Sequence, residues 1–148
     1  MADLRPRFTD DDAHQVRPGP RLAAVPGSPG LVLDADTRQL LADGLGPFDM
    51  DMRWLAHLDE TNVLRLWRSW TGHQIYQAVV EPRAAGTWAI RDLTVEQEPD
   101  RYGGSVSAEP GEFEQVLIVV VNTLRHFRAG HTPYGPGPDA DPLPPPWP

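Results

Sequence analysis

Apolar and polar residues change period several times along this chain, and each change predicts an element. In FDMDMRW, Phe48, Met50, Met52 and Trp54 alternate with Asp49, Asp51 and Arg53. A period of two puts one set of side chains on each side of an extended backbone, so this stretch reads as a half-buried strand. VLRLWRSW, HQIYQAVV and TWAIRDLTVE are rich in β-branched, aromatic and aliphatic residues and read as three more strands. The cluster DETN, residues 59–62, is a turn, because Asp and Asn side chains bond back to local backbone. Short connections make an antiparallel meander the simplest topology.

Two segments carry the helical period instead. DTRQLLADG predicts a short helix with Asp36 as N-cap and Gly44 near the C-cap. In EFEQVLIVVVNTLRHFR, Phe113, Val116, Leu117, Val120, Leu124 and Phe127 form one broad apolar stripe. Pro110 near the first turn and Gly130 past the last frame this helix. The β-branched run 118–121 would equally suit a buried strand, but a stripe of about fifteen residues outlasts most strands. The predicted fold class is α+β: an antiparallel β meander of about four strands with a long C-terminal helix packed on it.

The flanks read differently. Residues 1–30 hold five prolines and an acidic cluster at Asp10, Asp11 and Asp12, with no apolar period. Such a segment buries too little apolar surface to offset its ordering entropy, so a disordered arm is expected. TPYGPGPDADPLPPPWP holds eight prolines and predicts an extended, partly polyproline II tail, detached from the core. The domain then spans residues 31–130, with a disordered tail at 131–148. LPPPWP could dock in a partner's aromatic groove, but a spacer is the commoner use of such a segment.

A length of 148 residues fits one domain with a real core. The net charge of −8 argues against a nucleic-acid partner, which needs a basic surface to neutralise phosphates. With no cysteine there is no disulfide, thiolate nucleophile or zinc–thiolate site. The amino-terminal stretch lacks the apolar core of a signal peptide, and the longest apolar run, 116–121, is far too short to span a bilayer. A cytoplasmic protein with no membrane partner is expected.

The densest candidate chemistry is WRSWTGHQIY, residues 67–76. A two-residue turn would force positive φ on Thr71, which a β-branched side chain resists. A three-residue loop, Trp70-Thr71-Gly72, asks for positive φ only at Gly72. That register sets Trp67 opposite Ile75 and Leu66 opposite Tyr76. Trp67 then shares a face with Arg65, and Arg68 shares the other with Leu66. Arg68 offers a planar fork suited to phosphate or carboxylate. Trp67, Trp70 and Tyr76 supply rings, Ser69 and Thr71 lie beside them, and Gly72 in the turn would let a ligand approach the backbone closely. The competing reading is an ordinary surface cation–π contact, with Arg68 lying over Trp67 or Trp70. The functional expectation is a non-enzymatic module that binds a partner protein or a small anionic ligand at this hairpin.

The same ten residues resemble an Arg-Ser-Trp-Thr-Gly-x-x-Ile-Tyr signature of small bacterial domains, with a fainter echo in EPDRY, residues 98–102. Those domains often carry histidine before the arginine, where this chain has Trp67. The resemblance implies a connection to ADP-ribose or nucleotide metabolism, as a ligand domain or a small enzyme.

Other clusters carry less. Glu96 and Glu98 lie two apart on one predicted strand, the spacing of an acid–base or metal-binding pair. A Glu-x-Glu at a strand end resembles that of mono-ADP-ribosyltransferases, a fold that needs a longer chain and further motifs. A solvated strand end is the simpler reading. The histidines at 14, 57, 73, 126 and 131 show no metal-ligand spacing. His73 and Ser69 lie close in sequence, but nothing orients them as a base and nucleophile. GLGPF and RYGGS lack the lysine and strand-to-helix context of a phosphate loop. No catalytic residue, metal or cofactor is assigned.

Overall fold

Residues 20–27, 29–44, 53–69, 72–98, 109–132 and 135–148 are described in the computed structural model. Along the chain these form β1 (Leu22–Ala24), β2 (Val32–Leu33), α1 (Ala35–Asp43), β3 (Trp54–Leu58), β4 (Val63–Arg68) and β5 (Gln74–Pro82). There follow β6 (Trp88–Glu96), α2 (Glu109–Arg128), β7 (His131–Thr132) and β8 (Gly135–Pro136). The expected meander is present as β3-β4-β5-β6, antiparallel throughout. Both β1 and β2 pair along the outer edge of β6, which completes a six-stranded sheet.

One carboxylate organises the first hairpin. Asp59 accepts hydrogen bonds from the Thr61 N–H at 2.9 Å, the Thr61 hydroxyl at 2.7 Å and the Val63 N–H at 3.0 Å. Arg65 reaches the other oxygen at 2.6 Å. Asn62 takes φ 64°, a left-handed position that Asn tolerates, and so closes a three-residue loop.

The second hairpin departs from expectation. Leu66 does stand opposite Tyr76, but Trp67 pairs with Gln74 rather than Ile75. Ile75 is an extra residue in β5, a bulge that shifts the register by one. The Arg68 N–H donates to the His73 carbonyl at 2.9 Å, and the Gly72 N–H donates back to the Arg68 carbonyl at 2.8 Å. The hairpin therefore closes at Arg68 and His73, not at Ser69 and His73 as the predicted loop would have it. Gly72 does carry the positive φ, 70°.

α1 starts two residues earlier than predicted. Asp34, not Asp36, is the N-cap and accepts the Thr37 N–H at 2.8 Å, while Gly44 ends the helix at φ 89°. The run 118–121 is helical within α2. Leu40 and Leu41 from α1 and Phe113, Leu117, Val120, Val121 and Leu124 from α2 join one core with Leu64, Leu66, Tyr76, Ala78, Val80 and Val95 of the sheet. Both helices thus cover the same face. Leu55 and Trp67, cross-strand neighbours, are buried outside that core cluster, on the opposite face.

The flanks also differ from expectation where they are described. β1 belongs to the sheet and Val25 to the core, so the arm is not wholly unstructured up to residue 30. The proline-rich segment is not detached: Trp147 is 8% exposed and joins the core cluster. The predicted strand at FDMDMRW is described only from Arg53 onward; residues 45–52 lie outside the described set.

Candidate functional site

Strand pairing fixes the surroundings of Arg68. Trp54 stands directly opposite it across β3 and β4. The Arg68 N–H and carbonyl both point toward β5, so Trp54 and Arg68 form a pair with no hydrogen bond between them. Side chains approach most closely at such positions. The guanidinium carbon of Arg68 lies 4.5 Å from the centre of the Trp54 ring. The Trp54 ring is 5.8 Å from that of Tyr76, and Tyr76 meets Phe113 of α2 edge-on at 5.2 Å. A ladder of rings therefore runs from the helix, through the sheet's inner face, to a half-buried arginine at the sheet's end.

The backbone beneath this ladder is held on both sides. Ser69 donates its N–H to the Arg53 carbonyl at 3.1 Å, extending the β3–β4 pairing past Arg68. On the other side the loop bonds through His73 and Gly72 secure the same residue to β5. Arg68 is thus carried on backbone that is hydrogen-bonded to a strand on each side, as a binding group should be. It forms no ion pair with any described residue. An indole face supplies no oxygen acceptor, so the contact with Trp54 orients the guanidinium without neutralising it.

The residues predicted from sequence separate accordingly. Trp67 and Arg68 face opposite sides of the sheet, as alternation requires, and Trp67 is only 6% exposed. Trp67 does not share a surface with the guanidinium. Tyr76 and Ser69 are buried, the first within the ring ladder. Trp70 and Thr71 lie outside the described residues. The ring over which Arg68 sits is Trp54, not Trp67. The pairing that finds it could have been counted from the DETN turn, since a hairpin closing at residues 59–63 sets 54 against 68.

Glu96 is not a solvated strand end. It is 0% exposed, and its Oε1 accepts three backbone N–H groups: Arg21 at 3.2 Å, Gln97 at 2.9 Å and Glu98 at 2.9 Å. Its Oε2 is buried with no hydrogen-bond partner. Glu98 instead reaches toward the Arg21 guanidinium at 3.8 Å. The two carboxylates therefore have separate roles, and Glu96 fastens β1 to the end of β6. Among the described residues, no group of three histidine, aspartate or glutamate side chains could hold a metal, and no helix is long and apolar enough to cross a membrane.

The chain matches no protein-family profile, no curated protein and no solved structure.

Proposed function

We propose that this domain is a non-enzymatic binding module that captures an anionic group at Arg68. The observation that carries this reading is the guanidinium itself: carried on backbone bonded to both neighbouring strands, seated on Trp54, and without an acidic partner among the described residues. A guanidinium in that state gains most from a carboxylate or phosphate, which can take two N–H groups at once. Holding the side chain over an indole removes part of the rotamer entropy that binding would otherwise cost. The contacts used are charge-assisted hydrogen bonds, so no reaction step is required.

The resemblance of residues 67–76 puts ADP-ribose and related nucleotides first among ligands to try. The test is a thermal-shift panel of ADP-ribose, NAD, AMP, inorganic phosphate and citrate. A ligand that binds only the native state raises its stability, by about 2.7 kcal/mol at a hundredfold excess over Kd. An anion should raise the melting temperature of the native chain and leave Arg68→Ala unmoved. A panel with no shift at all would remove the small-ligand form of the proposal and leave a protein carboxylate as the partner.

A further inference from the structure

The segment PLPPPWP, residues 142–148, is held to the domain in an unusual way. Up to Asp141 the chain is secured by backbone bonds at the end of α2. Gly137 donates to the Gly130 carbonyl at 2.9 Å, and Asp141 donates to the Ala129 carbonyl at 2.8 Å. Beyond Asp141 five of the seven residues are prolines, so only Leu143 and Trp147 have an N–H to offer. Trp147 uses it. Its N–H donates to Asn122 Oδ1 at 2.8 Å, and its carbonyl accepts from Asn122 Nδ2 at 2.9 Å.

Asn122, in the middle of α2, thus reads both backbone groups of one residue, as a neighbouring strand would. The indole of that residue enters the core cluster. Leu143, four residues earlier, remains 59% exposed. The attachment is concentrated in a single tryptophan at the far end of an extended, proline-stiffened strap. A proline-stiffened backbone has little conformational freedom to lose, so it delivers that anchoring side chain at little entropic cost.

We infer that the face of α2 around Asn122 is a peptide-docking site for a tryptophan within a proline-rich segment, filled in cis by residues 142–148. The cis segment competes at the high local concentration that a short tether gives. A partner segment of the same chemistry displaces it only when the strap opens. This site is separate from Arg68 and does not depend on the reading proposed for it.

The experiment uses the full chain and a fluorescein-labelled peptide, DADPLPPPWP, copied from residues 139–148. Trp147→Ala empties the site while keeping the strap. The labelled peptide should bind Trp147→Ala with at least tenfold higher affinity than the native chain. Adding Asn122→Ala to that variant should abolish binding, as should replacing the peptide's tryptophan with alanine. Equal or undetectable binding to the native chain and a cooperatively folded Trp147→Ala overturns the inference. So does a Trp147→Ala chain with no cooperative melt, because the indole would then be fixed core rather than a removable ligand. A native dimer that Trp147→Ala converts to monomer would mean that the strap belongs to a second copy, which also overturns it.

Discussion

Trp54 and Arg68 meet across the β3–β4 pair, with the guanidinium carbon 4.5 Å from the centre of the indole. Their contact joins the fold to the proposed function. On one side the indole continues into Tyr76 and Phe113, and on the other it orients a cation that has no described acidic partner.

Removing the cation should therefore separate stability from binding. Arg68→Ala loses a contact worth about 0.5–1 kcal/mol, which a domain with this core tolerates. The expected outcome is a cooperative melt, lowered by a few degrees, measured by circular dichroism. Trp54→Ala, by contrast, deletes a ring that is 9% exposed and should cost about 3–5 kcal/mol.

Glu96 predicts a second large effect far from any binding chemistry. Glu96→Ala would leave the Arg21 and Glu98 N–H groups without their acceptor, while the Gln97 N–H keeps the Arg21 carbonyl at 3.1 Å. An unsatisfied N–H costs about 1–3 kcal/mol when buried and less at a partly exposed sheet end, so a loss of about 1–2 kcal/mol in chemical denaturation is expected. Amide exchange at Arg21 and Glu98 should accelerate more than in the centre of the sheet.

Asp59 predicts an acid limb of stability. Burial pushes its carboxyl up, but bonds from the Thr61 hydroxyl, the Val63 N–H, the Arg65 guanidinium and the Thr61 N–H outweigh it and hold the pKa at about 2, below its ordinary 3.8. A lowered folded-state pKa stabilises fully above the unfolded value, and the contribution is lost as pH falls from about 4 toward 2. Asp59→Asn should flatten that part of the stability–pH curve; an unchanged curve would contradict the assignment.

Gly72 carries φ 70° in the loop that presents Arg68. Gly72→Ala should cost about 1 kcal/mol, since an L side chain resists that backbone conformation. The same change should weaken anion binding through the loop, without touching the guanidinium.

Much of this architecture was legible in the sequence, for definite reasons. The stripe from Phe113 to Phe127 is long enough to exclude a strand, and Gly72 takes the positive φ that its place in the turn asks for. Leu66 stands opposite Tyr76 for a different reason than predicted: a hairpin closing at Arg68 and His73 would set Leu66 against Ile75, and the bulge restores Tyr76. The bulge at Ile75 was not legible, because no residue type marks an extra position within a run of apolar side chains. β1 and β2 are two or three residues long among prolines and glycines, too short for any period; they exist because β6 offers an unpaired edge.

The site was half legible. Arg68 and Gly72 announce themselves by residue type, but Trp54 becomes visible only when the first hairpin's register is counted. The burial of Glu96 depends on a backbone N–H 75 residues away and the docking of Trp147 on a side-chain amide 25 residues away, separations that no local pattern encodes.

The most direct test of the proposed function is calorimetric titration of ADP-ribose, and then of simpler phosphates and carboxylates, into the native chain and Arg68→Ala. Binding at Arg68 predicts saturable one-to-one heat with the native chain, weakening as salt rises, and none with a folded Arg68→Ala. Equal heats from both proteins would contradict it.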